Sequence, residues 1–198
     1  MVAPVSIKHT HVHSLRIASG AEALVARVLA ADGTAGYGFT LNMDAGVARD
    51  MAAGDALGRS KGIPLFALLG GTHRRSVKCM QDENPGIPPD WSALRKGILE
   101  NRYDVLRLDP FAWGSIEQVV TIAASAQAFD LGIALLAPNE HPWELQFCAA
   151  LAATIKGEDT KIIVRKDLSE KEMKISETPG FGIDWSQEPS FTKVQWQS

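Results

Sequence analysis

The amino-acid pattern predicts an α/β fold, with a three-stranded antiparallel meander and a helix pair preceding about four parallel βα units. Three observations lead there. Residues 4–41 carry strand-like runs closed by a tight hairpin dipeptide, residues 44–69 switch to helical spacing, and residues 76–165 alternate strand and helix signals. Regular alternation of that kind favours a parallel sheet with right-handed crossovers.

Between Ile7 and Arg16 residue types alternate without a helical stripe, and ALVARVLAA at 23–31 is apolar apart from one arginine. Asp32-Gly33 then suits a hairpin, because glycine accepts positive φ at no steric cost. The return strand TAGYGFTLN sets Gly36 and Gly38 on either side of Tyr37. Val47, Met51, Ala52, Leu57, Leu65, Leu68 and Leu69 recur at helical spacing. Gly62-Ile63-Pro64 breaks that run, Pro64 suits the first turn of a second short helix, and Gly70-Gly71 ends it.

SVKCM, YDVLRL, GIALLA and KIIVR are the four strands of the βα region. Asp90 can cap a helix to about Asn101, Ser115 with Gln118 resembles a capping box for a helix to Phe129, and a third helix runs from Pro142 to Ile155. The linker from Gln81 to Pro89 holds Asp82, Asn84, Gly86 and three prolines, and reads as the place of a lost or remodelled element.

Composition narrows the function classes. The chain has 198 residues, 45% hydrophobic and 22% charged, with a net charge of −3. That is an ordinary globular balance, and it lacks the basic stripe a nucleic-acid binder needs. No apolar run approaches the roughly 18 residues of a membrane helix, and MVAPVSIKHT lacks the pattern of a secretory signal, so a cytoplasmic protein with no membrane partner is expected. Cys79 and Cys148 stand far apart with no CxxC, which argues against a disulfide scaffold or a structural zinc. At roughly 250 residues, a complete (β/α)8 barrel is longer than this chain.

Several groups could carry chemistry. Asp109, before Pro110 at the end of a parallel strand, sits on the face where α/β proteins place their sites, or else is a turn aspartate accepting backbone N–H groups. Glu140 and His141 follow the next strand, where they pair a carboxylate with an imidazole for acid–base work or simply cap the next helix. On a strand, His9, His11 and His13 place three imidazoles on one face about 7 Å apart, a surface for zinc or nickel or merely an exposed polar face. Gly36-Tyr37-Gly38 reads as strand rather than as a phosphate loop, because no helix or lysine follows directly. Arg74 and Arg75 are an anion-binding pair or a solvated turn, and the five tryptophans read as core or interface anchors.

The block VARDMAAGDALGRSKGIPLFALLGG, residues 47–71, resembles the helix pair closing the capping domain of the mandelate racemase and muconate lactonizing branch of the enolase superfamily. Asp55-Ala56-Leu57-Gly58 through Gly70-Gly71 match that pattern nearly continuously, and the D-G hairpin with its G-x-G return strand is similar to the family's capping meander. Residues 103–139 are similar to the family's late barrel strands, and TPGFGIDW at 178–185 to its closing segment.

The resemblance implies a reduced capping domain at 1–75, a partial β/α barrel at 76–177, and a tail at 178–198 returning towards the capping domain. It also implies Mg²⁺ and proton abstraction α to a carboxylate on a small carboxylate substrate, giving racemisation, cycloisomerisation or sugar-acid dehydration. The family's metal is held by three carboxylates on successive strands beside a lysine pair. Here no K-x-K follows a strand in the expected place, and no second or third acidic ligand stands at a later strand end. Two alignments of LRLDPFAWGS remain open. As the third barrel strand it makes Asp109 a metal ligand, with Leu136 at the family's glutamate position and basic residues after KIIV where a third carboxylate belongs. As a late strand it makes Asp109 the orienting partner of a catalytic histidine, whose position falls on Asn139 with His141 two residues beyond.

The reading is therefore a shortened relative lacking the complete catalytic site. The alternatives are an active racemase or dehydratase with a remodelled site, and a hydrolase-like metal site at His9, His11 and His13. Open sheet edges in a partial barrel lead to the expectation of a homo-oligomer.

Overall fold

The computed structural model describes residues 6–71, 74–82, 86–88, 90–139, 141–155, 160–165 and 171–196. The chain divides into two compact units, residues 1–70 with 176–198 and residues 71–175.

In the first unit, β1 (Ile7–Arg16), β2 (Glu22–Ala30) and β3 (Ala35–Thr40) form the expected antiparallel meander in the order β1-β2-β3. Gly33 takes φ 88° in the hairpin, and the Asp32 carboxylate accepts the Thr34 N–H at 2.8 Å. The helix pair follows as α1 (Ala45–Lys61) and α2 (Leu65–Leu68). Asp44 caps α1 through the Gly46 N–H, and Gly62 ends it at φ 69°.

Gly36 and Gly38 are explained by how closely α1 lies on β3. A Cβ on Gly36 would stand 2.6 Å from the Ala56 Cα, and one on Gly38 would stand 2.6 Å from the Ala52 nitrogen. The facing stripe is therefore alanine, with Ala48, Ala52 and Ala56 packed on Ala26 and Val28. On the opposite face, Val25 is paired with Phe39 and both are fully buried. A 3-10 turn (Trp185–Gln187) and α6 (Pro189–Thr192) bring Trp185 and Phe191 there, stacked at 5.0 Å. Phe39 lies 6.1 Å from Trp185, and Tyr37 lies 5.6 Å from Phe191. Cover on both faces explains why residues 23–31 are almost continuously apolar.

Asp55 of α1 is fully buried and locks the C-terminal segment to the helix. Its carboxylate accepts the Tyr37 N–H and the Phe181 N–H, each at 3.0 Å, and pairs with Arg59 Nε at 2.6 Å. Burial pushes its pKa up, against the pull of Arg59 and of the two amides. Gly180, at φ 82°, lies so close that a Cβ there would stand 2.9 Å from the Asp55 Cγ, and Gly58 packs against it on the other side.

The second unit contains β4 (Ser76–Gln81), α3 (Trp91–Leu99), β5 (Val105–Leu108), α4 (Ile116–Gln127), β6 (Gly132–Leu136), α5 (Pro142–Thr154), β7 (Lys161–Val164) and β8 (Glu172–Lys174). The sheet order is β5-β6-β7-β4-β8, with the first four strands parallel and β8 antiparallel to β4. The four parallel strands and three helices stand where the sequence pattern puts them, whereas β8 is an addition. Asp90 caps α3 through the Ala93 N–H at 2.8 Å, and Ser115 caps α4 through the Gln118 N–H at 3.2 Å. No helix among the described residues is long and apolar enough to cross a membrane.

Two substitutions test the packing of the first unit. Gly38→Ala forces α1 off β3 and should lower stability to urea by at least ~3 kcal/mol. Asp55→Asn turns an amide donor towards one of the donors the carboxylate now satisfies, and should cost about 2–4 kcal/mol. Losses below ~1 kcal/mol in urea titrations would contradict this account.

Candidate functional site

The inner face of the parallel sheet is apolar at its centre and charged at its C-terminal end. Ala134, Leu136 and Ile163 form the buried cluster, with Met80, Ile87 and Val105 packed on it. Ile87 comes from the 81–89 connection, so the linker itself helps fill the barrel interior. Above this layer, Arg107 Nη2 of β5 meets Asp82 Oδ2, just past β4, at 3.3 Å.

A cavity of about 400 Å³ opens at the C-terminal ends of the strands. Its apolar walls include Ile87, Pro88, Trp91, Trp113 and Leu136, and its charged groups are Asp90, Asp109 and Arg165. The Trp91 and Trp113 rings meet edge to face, 5.4 Å apart at 85°. This is the concave, mostly apolar site with a few polar groups that small-molecule binding requires.

Asp109 follows β5 and lines the cavity, and it is also the turn aspartate of the simpler reading. Its Oδ1 accepts the Phe111 N–H at 2.9 Å and the Ala112 N–H at 3.3 Å. Burial pushes its pKa up, while these amides and the Arg165 charge pull it down.

His141 and Asn139 belong to the start of α5. His141 is the N-cap residue, and its Nδ1 accepts the Trp143 N–H at 3.3 Å, so in this geometry that nitrogen is an acceptor rather than a proton carrier. Glu144 completes the capping box. Its Oε2 accepts the Asn139 N–H at 2.9 Å and the His141 N–H at 3.3 Å, and its Oε1 accepts Asn139 Nδ2 at 2.9 Å. Glu144 is fully buried, and desolvation pushes its pKa up against those hydrogen bonds. Glu140 lies outside the described residues.

The three strand histidines are not one metal site, which corrects the hydrolase-like alternative. His13 turns edge-on to Trp196 at 5.0 Å, while His9 and His11 stand 6.3 Å apart. Among the described residues, no group of three or more His, Cys, Asp or Glu side chains could hold a metal ion. Arg74 is a structural cap, with its Nη2 donating to the Ile155 carbonyl at the end of α5 at 2.7 Å. Cys79 is half-buried and Cys148 buried, and both are free thiols.

Trp91, Trp113 and Arg165 are site residues that the sequence pattern did not single out. The available signal was position, since Arg165 directly follows β7, Trp91 opens α3 and Trp113 lies in the connection from β5 to α4.

No family model matches the sequence, and no curated protein matches it. Solved structures do match. An enolase from Mycobacterium smegmatis complexed with formate and acetate is 12% identical, with TM-score 0.75 over 96% of this chain and 91% of that one. An enolase from Pseudomonas fluorescens with bound magnesium, potassium and tartrate is 13% identical, with TM-score 0.73 over 97% and 92%. A mandelate racemase/muconate lactonizing enzyme from Bordetella bronchiseptica is 13% identical, with TM-score 0.66 over 92% and 97%. The chain shares the fold of these enzymes. Within that fold, the cavity stands at the strand ends where α/β barrels place their chemistry.

Glu144 gives this site a pH signature. A carboxyl whose folded pKa is raised contributes stability that is fully present below its unfolded value, about 4.3, and is lost as pH rises through the folded value. Glu144→Gln can keep the capping contacts by turning the Asn139 amide, so it should cost under ~1 kcal/mol, whereas Glu144→Ala should cost about 2–3 kcal/mol. Relative to Glu144→Gln, the native chain should lose stability as pH rises through that window. A parallel pH profile for the two proteins, measured by chemical denaturation, would show that Glu144 is not the titrating group.

Proposed function

We propose that this chain binds a small carboxylate at the cavity beside Arg165 and does not catalyse Mg²⁺-dependent proton abstraction. The observation that carries the proposal is the strand order. In a closed barrel the first and last strands are neighbours. β4 pairs with β7 while β5, one helix after β4 in sequence, lies at the far side of β6. That order reads β4 as a first barrel strand and β5, β6 and β7 as the last three. The strands that belong between β4 and β5 are then replaced by the 81–89 connection and α3. By the family resemblance, those are the strands that carry the lysine pair and the three carboxylates.

Among the described residues, the groups at the strand ends do not fit a Mg²⁺ site. Mg²⁺ demands near-octahedral oxygen ligation, yet β6 ends in Leu136 and β7 is followed by Arg165. The Asp109 Oδ1 and both Glu144 oxygens already accept backbone or amide N–H groups. Among the described residues, acid–base groups are equally short: Asn139 stands where the resemblance places a histidine and cannot take up a proton, and His141 Nδ1 is engaged by Trp143. Arg165, exposed at the mouth, remains suited to a carboxylate.

Turnover by a remodelled racemase or dehydratase is a second reading, supported by one feature. Asp109 is largely desolvated in the cavity wall and holds its proton more tightly than an ordinary aspartate, as a general acid or base in such a site would.

Proton exchange in deuterated buffer separates the two readings. With lactate, phenyllactate, gluconate and tartrate, with or without Mg²⁺, no deuterium should enter the α-carbon, while lactate binding should be detectable by NMR titration and weaken about tenfold or more in Arg165→Gln. Wash-in that disappears in Asp109→Asn would establish turnover and overturn the proposal.

A further inference from the structure

The shape and chemistry of the cavity walls go beyond a general preference for carboxylates. We infer that the site selects monocarboxylates with a flat apolar body over polyhydroxylated acids and over dicarboxylates, a selectivity that rests on the carboxylate-binding reading of the same cavity. Trp113 is 8% exposed and held by its surroundings, whereas Trp91 is 52% exposed and has an indole face to lose to a ligand. Their edge-to-face arrangement makes a right-angled apolar corner, which Ile87, Pro88 and Leu136 extend. An aromatic ring placed there is covered by the indole surfaces.

A chain of hydroxyl groups in the same space meets more carbon than polar surface. Hydroxyls set against the indole corner leave water without a partner, and buried polar groups without partners are disfavoured. One oxygen of each carboxylate in the lining is already taken. Asp90 Oδ1 is committed to the Ala93 N–H, and Asp109 Oδ1 to Phe111 and Ala112. Charge gives the second selection rule. Among the described lining residues, Arg165 is the basic side chain and Asp90 and Asp109 are acidic. One carboxylate finds a cation, and a second meets like charge.

Binding of 3-phenyllactate, lactate, gluconate and tartrate to the full chain, measured by calorimetry and by tryptophan fluorescence, tests the inference. Phenyllactate should bind at least tenfold more tightly than gluconate, and tartrate should bind more weakly than lactate. Trp91→Ala should abolish the preference for phenyllactate over gluconate, whereas Trp91→Phe should keep it. Trp91 is half exposed, so its removal leaves the core intact, and circular dichroism verifies folding. If gluconate binds as tightly as phenyllactate while Arg165→Gln weakens both, the carboxylate site stands and the selectivity inference is overturned. If no acid binds, or Arg165→Gln leaves binding unchanged, both are overturned.

Discussion

Three residue pairs join β4 to β7, Cys79 with Ile162, Met80 with Ile163 and Gln81 with Val164, and the architecture of the second unit rests on them. They place β4 at the end of the parallel run, next to the antiparallel β8, although the other three parallel strands follow it in sequence. The inner faces of all four strands then point at one small space. Met80 and Ile163, paired across that junction, reach the same apolar cluster as Val105 from β5. A fragment of a barrel would normally leave that cluster open to water. Here Ile87 packs on it from the connection that follows β4. The Arg107–Asp82 ion pair spans the same gap, but its side chains are 37% and 22% exposed and pairs of this kind contribute about 0–1 kcal/mol. The packing of Ile87 is therefore the larger effect.

The first unit solves a different problem, that of holding a non-adjacent segment against a helix with almost no side-chain volume. Gly58 and Gly180 allow the backbones to approach, and the Asp55 carboxylate supplies the acceptors that the amides of Tyr37 and Phe181 need. Burying a carboxylate is costly unless it is paired and hydrogen-bonded. Arg59 one turn later pairs with it, and two backbone donors complete its shell. The D-A-L-G and P-G-F-G segments thus form a single device, with Gly58 set by the Gly180 backbone and Gly180 by Asp55.

That device was legible in the sequence because glycine, aspartate and proline at fixed offsets have few other uses. So were the four parallel strands, which are short apolar runs between capped helices. The chemistry at the strand ends was far less legible. His141 beside Glu140 has the composition of an acid–base pair, yet an imidazole accepting the Trp143 N–H is a helix cap, and the sequence alone does not distinguish the two. The H-x-H-x-H strand was similarly ambiguous, because its spacing fixes which face the imidazoles share and not what that face meets. His13 meets Trp196, far along the chain. β8 was invisible for a simpler reason: three residues, Glu-Met-Lys, carry no periodicity, and their pairing with Ser76–Lys78 depends on the sheet already being there.

Glu144 shows why a perturbed carboxyl is a weak guide to catalysis in this fold. It is fully buried close to Asp109 and holds its proton more tightly than an exposed glutamate, the profile expected of a general acid. Its geometry points elsewhere. Both oxygens face N–H groups of Asn139 and His141, within three to five residues of itself, so its hydrogen-bonding capacity serves the turn from β6 into α5. The desolvation that raises its pKa is a consequence of packing the first turn of α5 against the sheet. A group that acts on a ligand needs an oxygen directed at the cavity. Asp109 borders that space, although its Oδ1 is held by the turn that follows β5. Among the described residues, the cavity therefore offers Arg165, the two indoles and the carboxyls of Asp90 and Asp109 to a ligand.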